Sequence, residues 1–197
     1  MSAFGLGGYA TVEEIEVELF TAAYHVTGSI HTPFRRVAEI LNQLPGGHLA
    51  VDNATIAENG APEAVERVAT ALVTVDEVLV LIAPGLAGES SAEMRILKHP
   101  AHAVLSIPPL RLEGTIHVPV GSQPVDGLLN VPDRFMPMTD VSLSSVTHPA
   151  LDRSFPILAL RRDRAHVIVV GEPTEAGTVH DEQPDGPVEP APDQEVG

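Results

Sequence analysis

Nine histidines in a chain with no cysteine are the first residues whose type invites chemistry. His25 and His31 stand six residues apart, so in a regular strand they share a face, with Gly28 between them. His31 and His117 recur in matched surroundings and, with Asp140, form the candidate polar site between two copies of a module. His99 and His102 are three apart beside Pro100. A zinc site needs three or four ligands, yet there is no HExxH, and no carboxylate sits at a spacing that completes a set. Neither a metal nor any other cofactor is expected. The absence of cysteine excludes disulfides, thiolate ligands and a cysteine nucleophile.

Nucleophilic catalysis is no better supplied. Gly88-Glu89-Ser90-Ser91-Ala92 is not the G-x-S-x-G elbow, and no strand precedes the glycine-rich Gly5-Leu6-Gly7-Gly8. Asp126, Asp133, Asp140 and Asp152 are spread over loops and strand ends, the ordinary place for carboxylates. No catalytic residues are assigned, and a non-catalytic role is expected.

The elements that position these residues come in two series. Val26-Thr27-Gly28-Ser29-Ile30-His31-Thr32-Pro33 is answered by Leu112-Glu113-Gly114-Thr115-Ile116-His117-Val118-Pro119. Ile40-Leu41-Asn42 is answered by Leu128-Leu129-Asn130, and Leu49 to Ile56 by Met136 to Leu143. Val78-Leu79-Val80-Leu81 falls against Val167-Ile168-Val169-Val170, an offset of 89. Four blocks in one order point to an internal duplication.

Each copy reads as strand, strand, short helix, strand and a closing hairpin. Ile15-Glu16-Val17-Glu18-Leu19 alternates as a half-buried strand does. A glycine inside a strand, as at Gly28 and Gly114, suggests a bulge or a close backbone approach. In the first copy Thr32 caps a helix that Pro33 starts; in the second, Ser122 or Gln123 caps and Pro124 starts. Val125, Leu128 and Leu129 are expected to face inward, and Asn42 and Asn130 to supply left-handed C-caps. Val68 to Val75 with Val78 to Ile82, and Phe155 to Leu160 with His166 to Val170, read as hairpins. The expected fold is mainly β (α+β). It comprises two tandem small curved-sheet or partly open barrel modules, residues 12–83 and 94–171, packed across a pseudo-two-fold, with a disordered acidic tail over 172–197.

The second copy resembles a small bacterial β-rich domain family of uncharacterised function. The resemblance rests on Gly114, Leu128-Leu129-Asn130, the strand Phe135-Met136-Pro137-Met138-Thr139-Asp140, and the closing run Leu158 to Val170. In the first copy His48 replaces Phe135, and Asp52-Asn53 replaces Thr139-Asp140. The resemblance implies fold boundaries and no activity.

The net charge is −16, with one lysine. Such a chain repels phosphate backbones, so nucleic acid is not an expected partner. The only basic cluster, Arg161-Arg162-Asp163-Arg164, reads as a solvated turn. Residues 172–197 hold eight carboxylates, five prolines and no Lys or Arg, a composition that does not repay the entropy of ordering. No stretch approaches a membrane span and the N-terminus lacks a signal-peptide pattern, so a cytoplasmic protein without membrane association is expected. The expected function is a binding or scaffold module with a protein partner of unspecified identity. The alternative is a small-ligand sensor or enzyme with its site around His31, His117 and Asp140.

Overall fold

Alternating, β-branched runs become strands throughout the computed structural model, which describes residues 11–44, 47–86 and 98–171. The first series is β1 (Glu13–Phe20), β2 (Tyr24–Thr32), α1 (Val37–Asn42), β3 (His48–Glu58), β4 (Ala61–Thr74) and β5 (Val80–Ile82). The second is β6 (Lys98–Ile107), β7 (Leu110–Pro119), α2 (Pro124–Leu129), β8 (Phe135–Ser144), β9 (Arg153–Arg161) and β10 (Val167–Val170). The expected tail lies outside the described residues, as does most of the glycine- and serine-containing segment after Leu86.

All ten strands form one open antiparallel sheet in the order β10-β6-β7-β8-β9-β5-β1-β2-β3-β4. The two tandem curved-sheet or partly open barrel modules read from sequence thus correspond to two halves of one continuous sheet. The halves are joined through β5 and β9, by Val80↔Leu160 and Leu81↔Ala159. That joint satisfies backbone groups which two separate modules would leave as open edges. It pairs the last strand of the first series with the fourth strand of the second, so the halves meet head to tail and not across a two-fold.

The expected closing hairpins are also replaced. β4 pairs only with β3, while β5 crosses to pair with β1 and β9; β9 pairs with β8 and β5, while β10 crosses to β6. A short 3-10 turn, Val75–Glu77 in the first half and Arg162–Arg164 in the second, starts each crossing. In the first half Val75 and Val78 are buried in the core as the chain passes. Thr74 to Val80, one turn of 3-10 and a few extended residues, reaches about 16 Å. Four strand intervals on a flat sheet take about 19 Å, so the sheet curls around this connection.

Ladder registers in the two halves agree pair for pair. Leu19↔Val26 corresponds to Leu105↔Leu112, and Val51↔Ala71 to Met138↔Leu158. The turns Val75–Glu77 and Arg162–Arg164 lie 87 residues apart, which sets Val80–Ile82 against Val167–Val169 and corrects the offset of 89 read from sequence.

Two core clusters occupy opposite faces. One gathers Leu19, Ile30, Val51 and α1; the other gathers Leu105, Ile116, Met138 and Leu128 of α2. At the joint, Leu81 and Ala159 turn to the first cluster and Val80, Ile82, Leu158 and Leu160 to the second, so β5 and the C-terminal half of β9 are buried on both sides.

The helices differ from expectation in three ways. α1 starts at Val37 after an extended Arg36, and Thr32 Oγ1 instead accepts the Phe34 N–H at 3.1 Å. Neither helix ends in a left-handed residue: Gln43 and Asn130 have φ of −102° and −90°. In α2 Leu128 is buried, but Val125 and Leu129 face solvent.

Candidate interaction surface

Of the three residues of the candidate polar site, His31 and His117 occupy matched positions in different halves, and Asp140 lies on β8 in the half of His117. His31 on β2 places Nδ1 3.6 Å from Asp52 Oδ2, and His117 on β7 places Nε2 3.0 Å from Thr139 Oγ1. Asp140 follows Thr139 and is exposed. β2 and β7 are five strand intervals apart, about 24 Å along the sheet. The structure therefore brings His117 beside the Thr139-Asp140 pair and leaves His31 with Asp52. Among the described residues, no group of three or more His, Asp or Glu is arranged to hold a metal ion.

What these positions share is a backbone device. The β2–β3 ladder shifts register between Thr27 and Ser29, and the β7–β8 ladder between Glu113 and Thr115. Opposite each shift sits a residue of left-handed φ, Asn53 at +50° and Asp140 at +53°, a conformation that Asn and Asp tolerate. A Cβ on Gly28 would stand 2.5 Å from the Asp52 carbonyl oxygen; one on Gly114 would stand 2.8 Å from that of Thr139. Both glycines are required by close backbone approach.

The joint is held by polar groups whose role sequence reasoning missed. The Asn42 side chain at the end of α1 donates to the Phe135 carbonyl (2.8 Å) and accepts the Phe135 N–H (3.0 Å), pinning α1 to β8 of the other half. Arg161 is buried and donates to the carbonyls of Val75 and Asp76, while Asp163 accepts from its Nε at 2.8 Å. Arg162 donates to the Leu128 and Val131 carbonyls at the end of α2, and Arg164 reaches Glu77. The basic cluster is a turn over Arg162–Arg164 without buried residues, as its composition suggested, and its arginines together with the buried Arg161 also staple the joint and the end of α2. Arg134 pairs with Asp76, and its guanidinium holds that carboxyl below its usual range; Arg161 does the same for Asp163. Leu41, Asn42, Asp76 and Arg134 line a cleft of about 370 Å³ at this joint.

A second polar cluster surrounds Glu18. His25 Nε2 lies 2.7 Å away, Arg153 of the other half pairs with the same carboxylate, and the His25 ring stacks on Phe20 with centroids 4.6 Å apart. Burial alone would raise the Glu18 carboxyl, but the His25 hydrogen bond and the nearby Arg153 charge outweigh it and hold the group below its usual value. Sequence offered no signal for it: Glu18 is one glutamate among four in a strand, and Arg153 is 135 residues away.

The free surfaces are the two ends of the sheet. β4 and β10 each have one strand neighbour among the described residues. β4 carries charges at Glu63, Glu66 and Arg67, but from Val68 to Thr74 it has none, and β10 (Val167-Ile168-Val169-Val170) has none either. Natural edges are usually guarded by charge or proline along their length, and these stretches are not. Leu72 on β4, Val167 and Val169 on β10, and Val125 and Leu129 on α2 are all exposed. No helix of the described residues is long and apolar enough to cross a membrane. Comparison of the chain with protein-family models, curated proteins and solved structures returns no match.

Proposed function

We propose that the chain is a non-catalytic binding or scaffold protein, built from two copies of one five-stranded module, that engages protein partners through its sheet ends. The observation that carries this reading is the pair of uncharged free strand edges, β4 from Val68 to Thr74 and β10, beside exposed apolar residues on α2. An added strand gains main-chain hydrogen bonds along such an edge, and alternate side chains supply specificity. At the joint the Asp76 and Arg134 side chains that line the cleft are paired with each other. This disfavours a ligand site there and leaves the sheet ends as the binding surfaces. The reading extends to a cytoplasmic protein of the small bacterial β-rich family that the second copy resembles.

Quantitative affinity capture from native lysate, comparing wild type with Leu72→Glu, tests it. Proteins enriched by wild type and lost with the variant are expected. No enriched protein, together with a metabolite retained in native mass spectrometry, would overturn it.

A further inference from the structure

We propose that the partner fitting both sheet ends is a second copy of this chain, added head to tail so that β10 of one molecule pairs with β4 of the next. The inference rests on the binding reading above and names its partner.

The template lies inside the molecule. The β5–β9 joint shows what the fifth strand of one half does with the fourth strand of the other. β10 occupies the position of β5, and β4 that of β9, and these are the two edges left free. Shifting the observed pairs Val80↔Leu160 and Leu81↔Ala159 by 87 residues in opposite directions sets Val167 against Val73, and Ile168 against Leu72, of the neighbouring copy. At the joint Val80 and Ile82 are buried, whereas Val167 and Val169 are exposed.

The helices repeat the argument independently. α1 contributes Val37 (3% exposed) and Leu41 (4%) to the cluster that contains Phe135 and Ala159 of the other half. Their counterparts on α2, Val125 (53%) and Leu129 (68%), have no such cover. Leu72, the counterpart of Ala159, is 70% exposed. Leu72, Val125, Leu129, Val167 and Val169 are thus exposed at the ends although their counterparts are buried at the joint, while Val73 is already buried within its own half. Asn130, counterpart of Asn42, here donates to the Asp126 carbonyl at 2.8 Å, and in the contact it would exchange that bond for the backbone of the neighbour's His48, counterpart of Phe135.

The contact between copies is weaker than the internal joint. Gly47 stands where Arg134 would be needed, and Thr74 where Arg161 would be, so the arginine staples are missing. The net charge of −16 also repels a second copy. Reversible association that strengthens with salt follows. The contact joins two different surfaces, so it propagates into a ring or a filament according to whether the rotation closes.

Sedimentation velocity of the full chain from ~2 to ~200 µM, where micromolar contacts populate, tests this at low and high salt. Species at multiples of 20.8 kDa are expected, growing with concentration and salt. Leu72→Glu and Leu129→Glu change exposed side chains on opposite surfaces, and each should weaken association at least tenfold while leaving the melting temperature unchanged. Mixed in equal amounts, the two variants should recover a dimer and nothing larger, because each keeps one intact surface. A wild-type monomer throughout, association indifferent to both substitutions, or no recovery on mixing would overturn the proposal. Should wild type stay monomeric while Leu72→Glu still loses captured proteins, the second copy is the wrong partner and the binding reading stands.

Discussion

Replacing Gly114 by Ala tests the twin bulges. The new methyl would meet the carbonyl oxygens of Thr139 and Asp140 at 2.8 and 2.9 Å and the Val141 Cα at 3.1 Å. All three are backbone atoms of one strand, so relief requires β8 to move by about half an ångström against its ladder with β9. Overpacking of this kind costs about 3 kcal/mol, the upper end of its range, because no side chain can swing aside. The loss of unfolded-state freedom on going from Gly to Ala returns about 0.4–1 kcal/mol. The net of about 2 kcal/mol lowers the melting temperature by about 4–8 °C in a chain of this size. Thermal unfolding followed by circular dichroism reads it, with Gly85→Ala, where a Cβ meets nothing within 4 Å, as the control. Gly28→Ala should cost at least as much, since its Cβ would stand 2.5 Å from the Asp52 oxygen and 2.7 Å from Val51 Cγ1. A Gly114→Ala protein that melts within about 1 °C of wild type would refute the close-approach argument.

Other perturbations read the joint. Asn42→Ala removes both bonds to the Phe135 backbone and should cost about 1–3 kcal/mol in denaturant unfolding. Arg161→Met removes the buried guanidinium's bonds to the Val75 and Asp76 carbonyls, which keep donors in the Val78 N–H and Arg164, and should cost about 1.5–3 kcal/mol, with Arg161→Lys intermediate. Glu18 has a depressed carboxyl in the folded state, so its contribution is present above the ordinary value of 4.5 and fades as pH falls through the folded value. The stability gap between wild type and Glu18→Gln should therefore be full near pH 7 and shrink below about pH 4.5. A gap that grows on acidification would contradict the sign.

How much of this was legible in the sequence depends on range. The β-rich class and the strand over Ile15 to Leu19 follow from local alternation, and Gly28 and Gly114 announced a close approach because few other reasons place glycine inside a strand. Pairing across distance was not legible. Val78 to Ile82 looks like half of a hairpin with Val68 to Val75, and nothing local reveals that the chain crosses the core to reach β1 and β9. Asn42 suggested a C-cap by residue type, while its actual partner is 93 residues away. Val125 and Leu129 have the spacing of an inward face, yet only Leu128 turns in. Helical periodicity identifies an apolar face but not what covers it. His31 and His117 recur in sequence for a similar reason: they mark matched places in two halves rather than one site.

The measurement that bears most directly on the head-to-tail account uses the absence of cysteine from the chain. In a Leu72→Cys/Leu129→Cys double variant treated with a short bismaleimide, the two thiols of neighbouring copies face each other across the proposed contact. A ladder of covalent multimers from the double variant, with each single variant remaining monomeric, is the predicted result. Covalent dimers from Leu72→Cys alone would mean that like edges meet, and no cross-linking of the double variant at concentrations where wild type associates would mean that the contact lies elsewhere; either contradicts the account.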